Sequence, residues 1–149
     1  MKKLLIIFII VIGIYQWTNS PQSKSSFPNE KIPEISSKAA NSIIAKAFKN
    51  RQSNIQVQGF GLVERVLSDD NKGSRHQRFI LRLSSGQTIL IAHNIDLAPK
   101  IHSISNGDQV QFAGEYEWNQ KGGVVHWTHK DPKGYHIGGW LKHNGKTYQ

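Results

Sequence analysis

Three features of this 149-residue chain predict a mainly β fold. Short runs of alternating apolar and polar residues recur between positions 55 and 130, and Gly- and Asn-rich turns separate them. Two close glycines, Gly59 and Gly61, fall within the first run, where a long strand must bend sharply. Only residues 34–51 carry a helical pattern. Their apolar stripe is Ile35, Ala39, Ile43, Ala47 and Phe48, with Ser36 or Ser37 as candidate caps, and this helix is expected to pack against the domain that follows.

Residues 55–67 give the bent first strand, and Asp69 to Gly73 a turn. In 76–83, Phe79, Leu81 and Leu83 share one face, while His76, Arg78 and Arg82 share the other with Ile80. Ser84-Ser85-Gly86 turns the chain into 87–93, a largely buried strand through Ile89, Leu90 and Ile91, which makes a hairpin. Residues 94–105, broken by Pro99, read as a loop with a short helical turn. A fourth strand follows Asn106-Gly107-Asp108. It sets Val110, Phe112, Tyr116 and Trp118 inward around Gly114, and Gln109, Gln111, Glu115 and Glu117 outward. After a turn at Asn119 to Gly123, residues 124–130 supply a fifth strand, which Asp131-Pro132-Lys133-Gly134 ends. An irregular, Gly-rich tail is expected beyond it. Three strands, a connection and two more strands, the first bent at glycine, is the chain order of a five-stranded OB-like barrel, here preceded by one amphipathic helix. Its core is expected to hold Phe79, Leu81, Ile89, Ile91, Val110 and Phe112.

The organisation this implies is an export segment at 1–17, a linker at 18–33 and one domain at 34–149. Lys2 and Lys3 precede an apolar run at 4–17, interrupted only by Gln16, which is the charged start and apolar middle of an export signal. As a helix, such a run rises about 21 Å against a hydrocarbon core of about 30 Å, which favours a signal peptide over a full span. Thr18-Asn19-Ser20 offers no small-x-small cleavage site, so an uncleaved membrane anchor stands beside that reading. Either way the domain is expected outside the cytoplasm, periplasmic, secreted or held at the inner membrane.

The chain has no cysteine, which excludes disulfides, thiolate chemistry and Cys-type zinc sites. Nineteen Lys and Arg face 10 Asp and Glu, a formal charge of +9. Two of those lysines lie in the export segment, leaving 17 against 10, or +7, on the remainder. That balance suits an anionic ligand, nucleic acid or another polyanion, and the sequence points to no protein partner.

Seven histidines exceed what a core of this size needs, and histidine both transfers protons near neutral pH and ligates metals. Two constellations follow. His126, His129, Asp131 and His136 are the natural ligands for a divalent metal. Positions three apart point oppositely on a strand, so His126 and His129 converge only at a bulge or strand end. Without metal, His76, Arg78 and Arg82 would meet His126 or His129 as an anion-binding, proton-transferring cluster. The catalytic candidates are therefore His76, His126, His129 and His136. The ligand-binding candidates are Arg78, Arg82, His93, Trp127 and Trp140, the tryptophans as stacking surfaces.

Five strings carry a family resemblance: His76-Gln77-Arg78-Phe79, His93-Asn94-Ile95-Asp96-Leu97-Ala98-Pro99, Gly114-Glu115-Tyr116-Glu117-Trp118-Asn119, His126-Trp127-Thr128-His129-Lys130-Asp131-Pro132 and His136-Ile137-Gly138-Gly139-Trp140. Over residues 56–149 the chain resembles a bacterial family of small exported proteins catalogued as a domain of unknown function. The resemblance implies no activity and no residue roles. In that pattern a histidine often stands where this chain has Lys130, and an arginine where it has Tyr135, so neither position carries an indispensable proton transfer. Two functions remain in view: a basic OB-like module that binds nucleic acid or another polyanion, and a His-dependent hydrolase of phosphodiester type, metal-assisted in one version. An envelope structural role, resting on the N-terminal segment, is a third.

Fusing residues 1–33 to a reporter active only outside the cytoplasm is expected to give signal. Full activity of a matching cytoplasmic reporter would refute export.

Overall fold

The computed structural model describes residues 34–149, so the expected export segment at 1–17 and linker at 18–33 lie outside the described residues. Helix α1 (Glu34–Lys49) is followed by seven strands: β1 (Ile55–Val66), β2 (His76–Arg82), β3 (Thr88–Asn94), β4 (Gln109–Glu117), β5 (Val124–His126), β6 (Trp140–His143) and β7 (Lys146–Tyr148). The sheet runs β1-β2-β3-β5-β4-β6-β7, and β1 also pairs with β4, which closes the first five strands into a barrel. All ladders are antiparallel except β3–β5, where Leu90 and Ile91 lie beside Val124 and Val125. The expected OB-like barrel is the observed one.

Closure rests on β1. Its first part, Ile55 to Leu62, pairs with β4, and its last part, Leu62 to Val66, pairs with β2, with a register shift between Val63 and Arg65. Gly61 sits at the handover, where an added Cβ would press on the Arg82 carbonyl and Leu81. The interior is filled by Phe79, Leu81, Ile89, Ile91, Val110, Phe112 and Tyr116, all buried. The Tyr116 hydroxyl donates to the Gly122 carbonyl (3.1 Å), and the ring packs where a Cβ at Gly123 would stand.

Helix α1 packs on β1. Its stripe differs from the expected one: Ile44 is fully buried and Ile43 is 48% exposed, so Asn41, Ile44 and Ala47 face the core. The Asn41 amide donates to the Ser84 hydroxyl at the β2–β3 turn, which fixes the rotation of the helix. Arg51 ends it at φ 52°, with Gln52 N–H bonded to the Ala47 carbonyl (2.9 Å) and Arg51 N–H to that of Phe48 (3.2 Å), a Schellman cap without glycine. The cap sets the Arg51 guanidinium over Trp118, 5.5 Å from the ring centroid, while Trp118 Nε1 donates to the Phe48 carbonyl.

Two further expectations are corrected. The fifth strand is only Val124–His126, because Trp127 adopts φ 52° and leaves the ladder. The tail expected to be irregular forms the β6–β7 hairpin around Asn144-Gly145, both at positive φ, and β6 pairs with β4.

Phe112 is fully buried at the centre of β4. Phe112→Ala is expected to cost about 3–5 kcal/mol in urea unfolding, and a loss below about 1 kcal/mol would contradict this core.

Candidate functional site

The outer face of β4 carries Glu115 and Glu117 two residues apart, hence on one side of the strand. Strand β5 pairs His126 directly with Glu115. The chain then departs at Trp127 and crosses back, reaching β6 through Gly139, whose N–H binds the His129 carbonyl (2.9 Å). Gly139 is buried where a Cβ would collide with the Ala113 and Trp127 carbonyls, and one on Gly114 would collide with the His126 carbonyl. These two glycines let the 127–139 segment lie directly on β4.

That segment brings His136 over the glutamates. His136 Nε2 is 3.1 Å from Glu115 Oε2, a separation at which an imidazole N–H donates to a carboxylate. Its other nitrogen, Nδ1, is buried and has no hydrogen-bond partner. The Trp127 indole stacks on the ring, 4.1 Å between centroids and 6° between planes. His126 Nε2 lies 3.6 Å from Glu115 Oε1 and 3.8 Å from Glu117 Oε1, too far for a hydrogen bond, and is also buried without a partner. A bulky residue at positive φ costs on the order of 1–3 kcal/mol. Here that strain aims one indole between three imidazoles, of His126, His129 and His136.

Two interactions hold the segment down. The Asp131 carboxylate accepts the backbone N–H groups of Lys133 (3.0 Å), Tyr135 (2.7 Å) and His136 (2.9 Å). The bond from Lys133 is the leading reason that its carboxyl lies below the usual range. His93, fully buried on the inner face of β3, has Nε2 3.2 Å from the Pro99 carbonyl and Nδ1 2.8 Å from the Thr128 hydroxyl. A carbonyl only accepts, so Nε2 carries the proton and the threonine donates to Nδ1. Burial lowers the His93 pKa from 6.5 to about 4 and keeps the ring neutral.

The sequence candidates thus fall into separate places. His126, His136 and Trp127 meet on the β4 face. His129 is buried, with Nδ1 donating to the Lys130 carbonyl (2.8 Å). Asp131 caps the loop, and Trp140 sits half-buried on β6 beside Ala113. On β2, His76 Nδ1 donates to the Ser74 carbonyl (2.8 Å), Arg78 donates twice to that of Ser68 (3.1 and 2.9 Å), and Arg82 pairs with Glu64 (2.7 Å). Strand β3 separates these residues from β5. Sequence reasoning missed Glu115 and Glu117 as site residues. Their signal was present as two carboxylates at i and i+2 on the outward face of β4.

The geometry suits proton transfer by an imidazole oriented on a carboxylate. Glu115, Glu117 and His126 also each offer a ligand atom, all within 4.8 Å of one another. Fold and site together define a small OB-like barrel domain carrying a histidine–glutamate cluster on its outer wall. Residues 30–149 match the family described as "Protein of unknown function (DUF3465)", and the chain belongs to it. No curated protein matches the chain.

Because His93 is neutral in the fold and protonates near pH 6.5 when unfolded, the unfolded chain binds the extra proton between pH 6.5 and 4. Its contribution is complete above about pH 6.5 and declines on acidification through that window, by about 3 kcal/mol at most. Urea unfolding at pH 7 and pH 4.5 is expected to show this loss in the native protein and much less of it in His93→Gln. Equal pH dependence in the two proteins would refute the assignment.

Proposed function

We propose that the protein is an exported hydrolase of phosphodiester type, acting on an anionic ligand such as nucleic acid, with His136 as its general base. One observation carries the reading: His136 is held through Nε2 on Glu115 while Nδ1 has no partner and the ring is clamped by Trp127. A carboxylate on one nitrogen fixes the tautomer and the orientation of the ring, which leaves the other nitrogen as the proton acceptor. In the proposed step, water attacks phosphorus and its proton passes to His136 Nδ1. The bond from phosphorus to the departing ester oxygen then breaks, and the imidazolium returns the proton to that oxygen.

The anionic substrate is supported by the net charge of +9 and by exposed Lys130 and Lys133 on the same segment as His136. Tyr135, 89% exposed, and Ile137 flank His136 as surfaces for a base or sugar. Plain polyanion binding by β2 is less well supported, since the Arg78 and Arg82 guanidinium groups are engaged by Ser68 and Glu64. The Lys2-Lys3 pair and apolar run of the N-terminal segment support export.

The test is incubation of the purified protein with single- and double-stranded DNA and RNA, and with bis(p-nitrophenyl) phosphate. His136→Ala and Glu115→Gln are expected to lower turnover by about 10²- to 10⁴-fold while leaving the circular dichroism spectrum unchanged. Absence of turnover on every substrate, or turnover indifferent to His136→Ala, would overturn the reading.

A further inference from the structure

We infer that Glu115, Glu117 and His126 form a binding site for one divalent transition-metal ion, zinc(II) or manganese(II). The inference deepens the reading above, because Glu115 belongs to both arrangements. Its Oε2 holds His136 at 3.1 Å, while its Oε1 faces His126 Nε2 at 3.6 Å.

Three observations carry the site. His126 Nε2 is a buried nitrogen without a hydrogen-bond partner, directed at two carboxylate oxygens. Leaving such an atom unsatisfied is costly, and coordination would satisfy it. Its separations from those oxygens, 3.6 and 3.8 Å, lie beyond the hydrogen-bond limit of about 3.2 Å. They approach the about 3.4 Å between neighbouring ligands on a tetrahedral ion with bonds of about 2.1 Å. Finally, the ligand atoms of all three residues lie within 4.8 Å of one another, so a small inward movement of the side chains would suffice.

The donor set selects the class of ion. One imidazole and two carboxylates are harder than thiolates and softer than an all-oxygen cage, which suits zinc or manganese over copper(I) and over calcium. The ligands come from the paired ends of β4 and β5, Glu115 opposite His126 and Glu117 opposite Val124, so sheet hydrogen bonds preset their spacing. An ion here would leave positions open for water or a phosphate oxygen. This set replaces the His126, His129, Asp131 and His136 set read from the sequence. In the fold His129 bonds the Lys130 carbonyl, and the Asp131 carboxylate is occupied by three backbone N–H groups.

The experiment is calorimetric titration of the full-length protein, stripped with chelator, using zinc(II) and manganese(II) chlorides, with calcium chloride for comparison. One zinc or manganese ion per chain is expected, with calcium binding much more weakly. Losing even an outer partner of a metal ligand weakens affinity by about 10- to 100-fold. Glu117→Gln and His126→Gln are therefore each expected to weaken the one-to-one phase by at least about tenfold, while His102→Ala, an exposed histidine elsewhere, leaves it unchanged. Circular dichroism of both site variants serves as the folding control, and since the two replace different strands, either one that folds decides the question. No one-to-one phase, or a phase that the folded site variants leave intact, would overturn the site. Glu117 lies outside the His136–Glu115 pair, so the two claims separate. Metal binding lost in Glu117→Gln, with no hydrolysis by the native protein, supports the ion and refutes only the hydrolase. Hydrolysis unaffected by chelator, without a one-to-one phase, does the reverse.

Discussion

The structure depends on one strand serving two partners. β1 is twelve residues long, and its pairing passes from β4 to β2 near Leu62. A straight strand would leave an open sheet with two exposed edges and a half-covered core. The bend at Gly61 and the shift after Val63 curl the sheet until β4 meets β1, and only then do Phe79, Phe112 and Tyr116 become fully buried. The exterior of β4 is thereby set at the junction of β1, β5 and β6, and that junction carries the glutamates.

From there the site is built by interruption. Had β5 continued past His126 as a regular strand, Trp127 would have pointed inward and the next residues would have followed the barrel. Positive φ at Trp127 turns the chain outward, and Gly114 and Gly139 remove the two Cβ atoms that would hold it away from β4. The return path is pinned from inside through Thr128 on His93 and from outside by the Asp131 cap. A rigid wall thus supplies the carboxylates, and a tethered segment supplies the imidazole and the indole.

Much of this could be read from the chain alone. Alternation in β2 and β4 placed Phe79, Leu81, Val110 and Phe112 in the core, and the strand count and glycine bend identified the barrel. The helical face was misassigned because Ile43 and Ile44 are adjacent, and periodicity alone does not choose between them. The bonding of Asn41 to Ser84, a tertiary contact, does. The C-terminal hairpin was missed although Asn144-Gly145 is a strong turn signal, because its strands have only four and three residues. His126 and His136 were recognised by residue type. Their glutamate partners read as ordinary solvent-facing positions of a strand, and it takes the path of the 127–139 segment to cover them.

The register of the barrel also bears on how the chain reaches this state. β1 and β4 are joined by contacts such as Val57 with Gly114, separated by more than fifty positions, and β5 must slot in parallel beside β3. Such distant pairings carry a loop-closure penalty before any burial compensates for it, and they slow assembly. The cluster at Glu115, Glu117, His126 and His136, by contrast, lies within 22 consecutive residues. The β4–β5 hairpin and its return segment are therefore close in the chain even before the barrel closes. An ion captured early by this local segment would act as a nucleus, drawing the last strands together while the distant edge of β1 is still searching for its place.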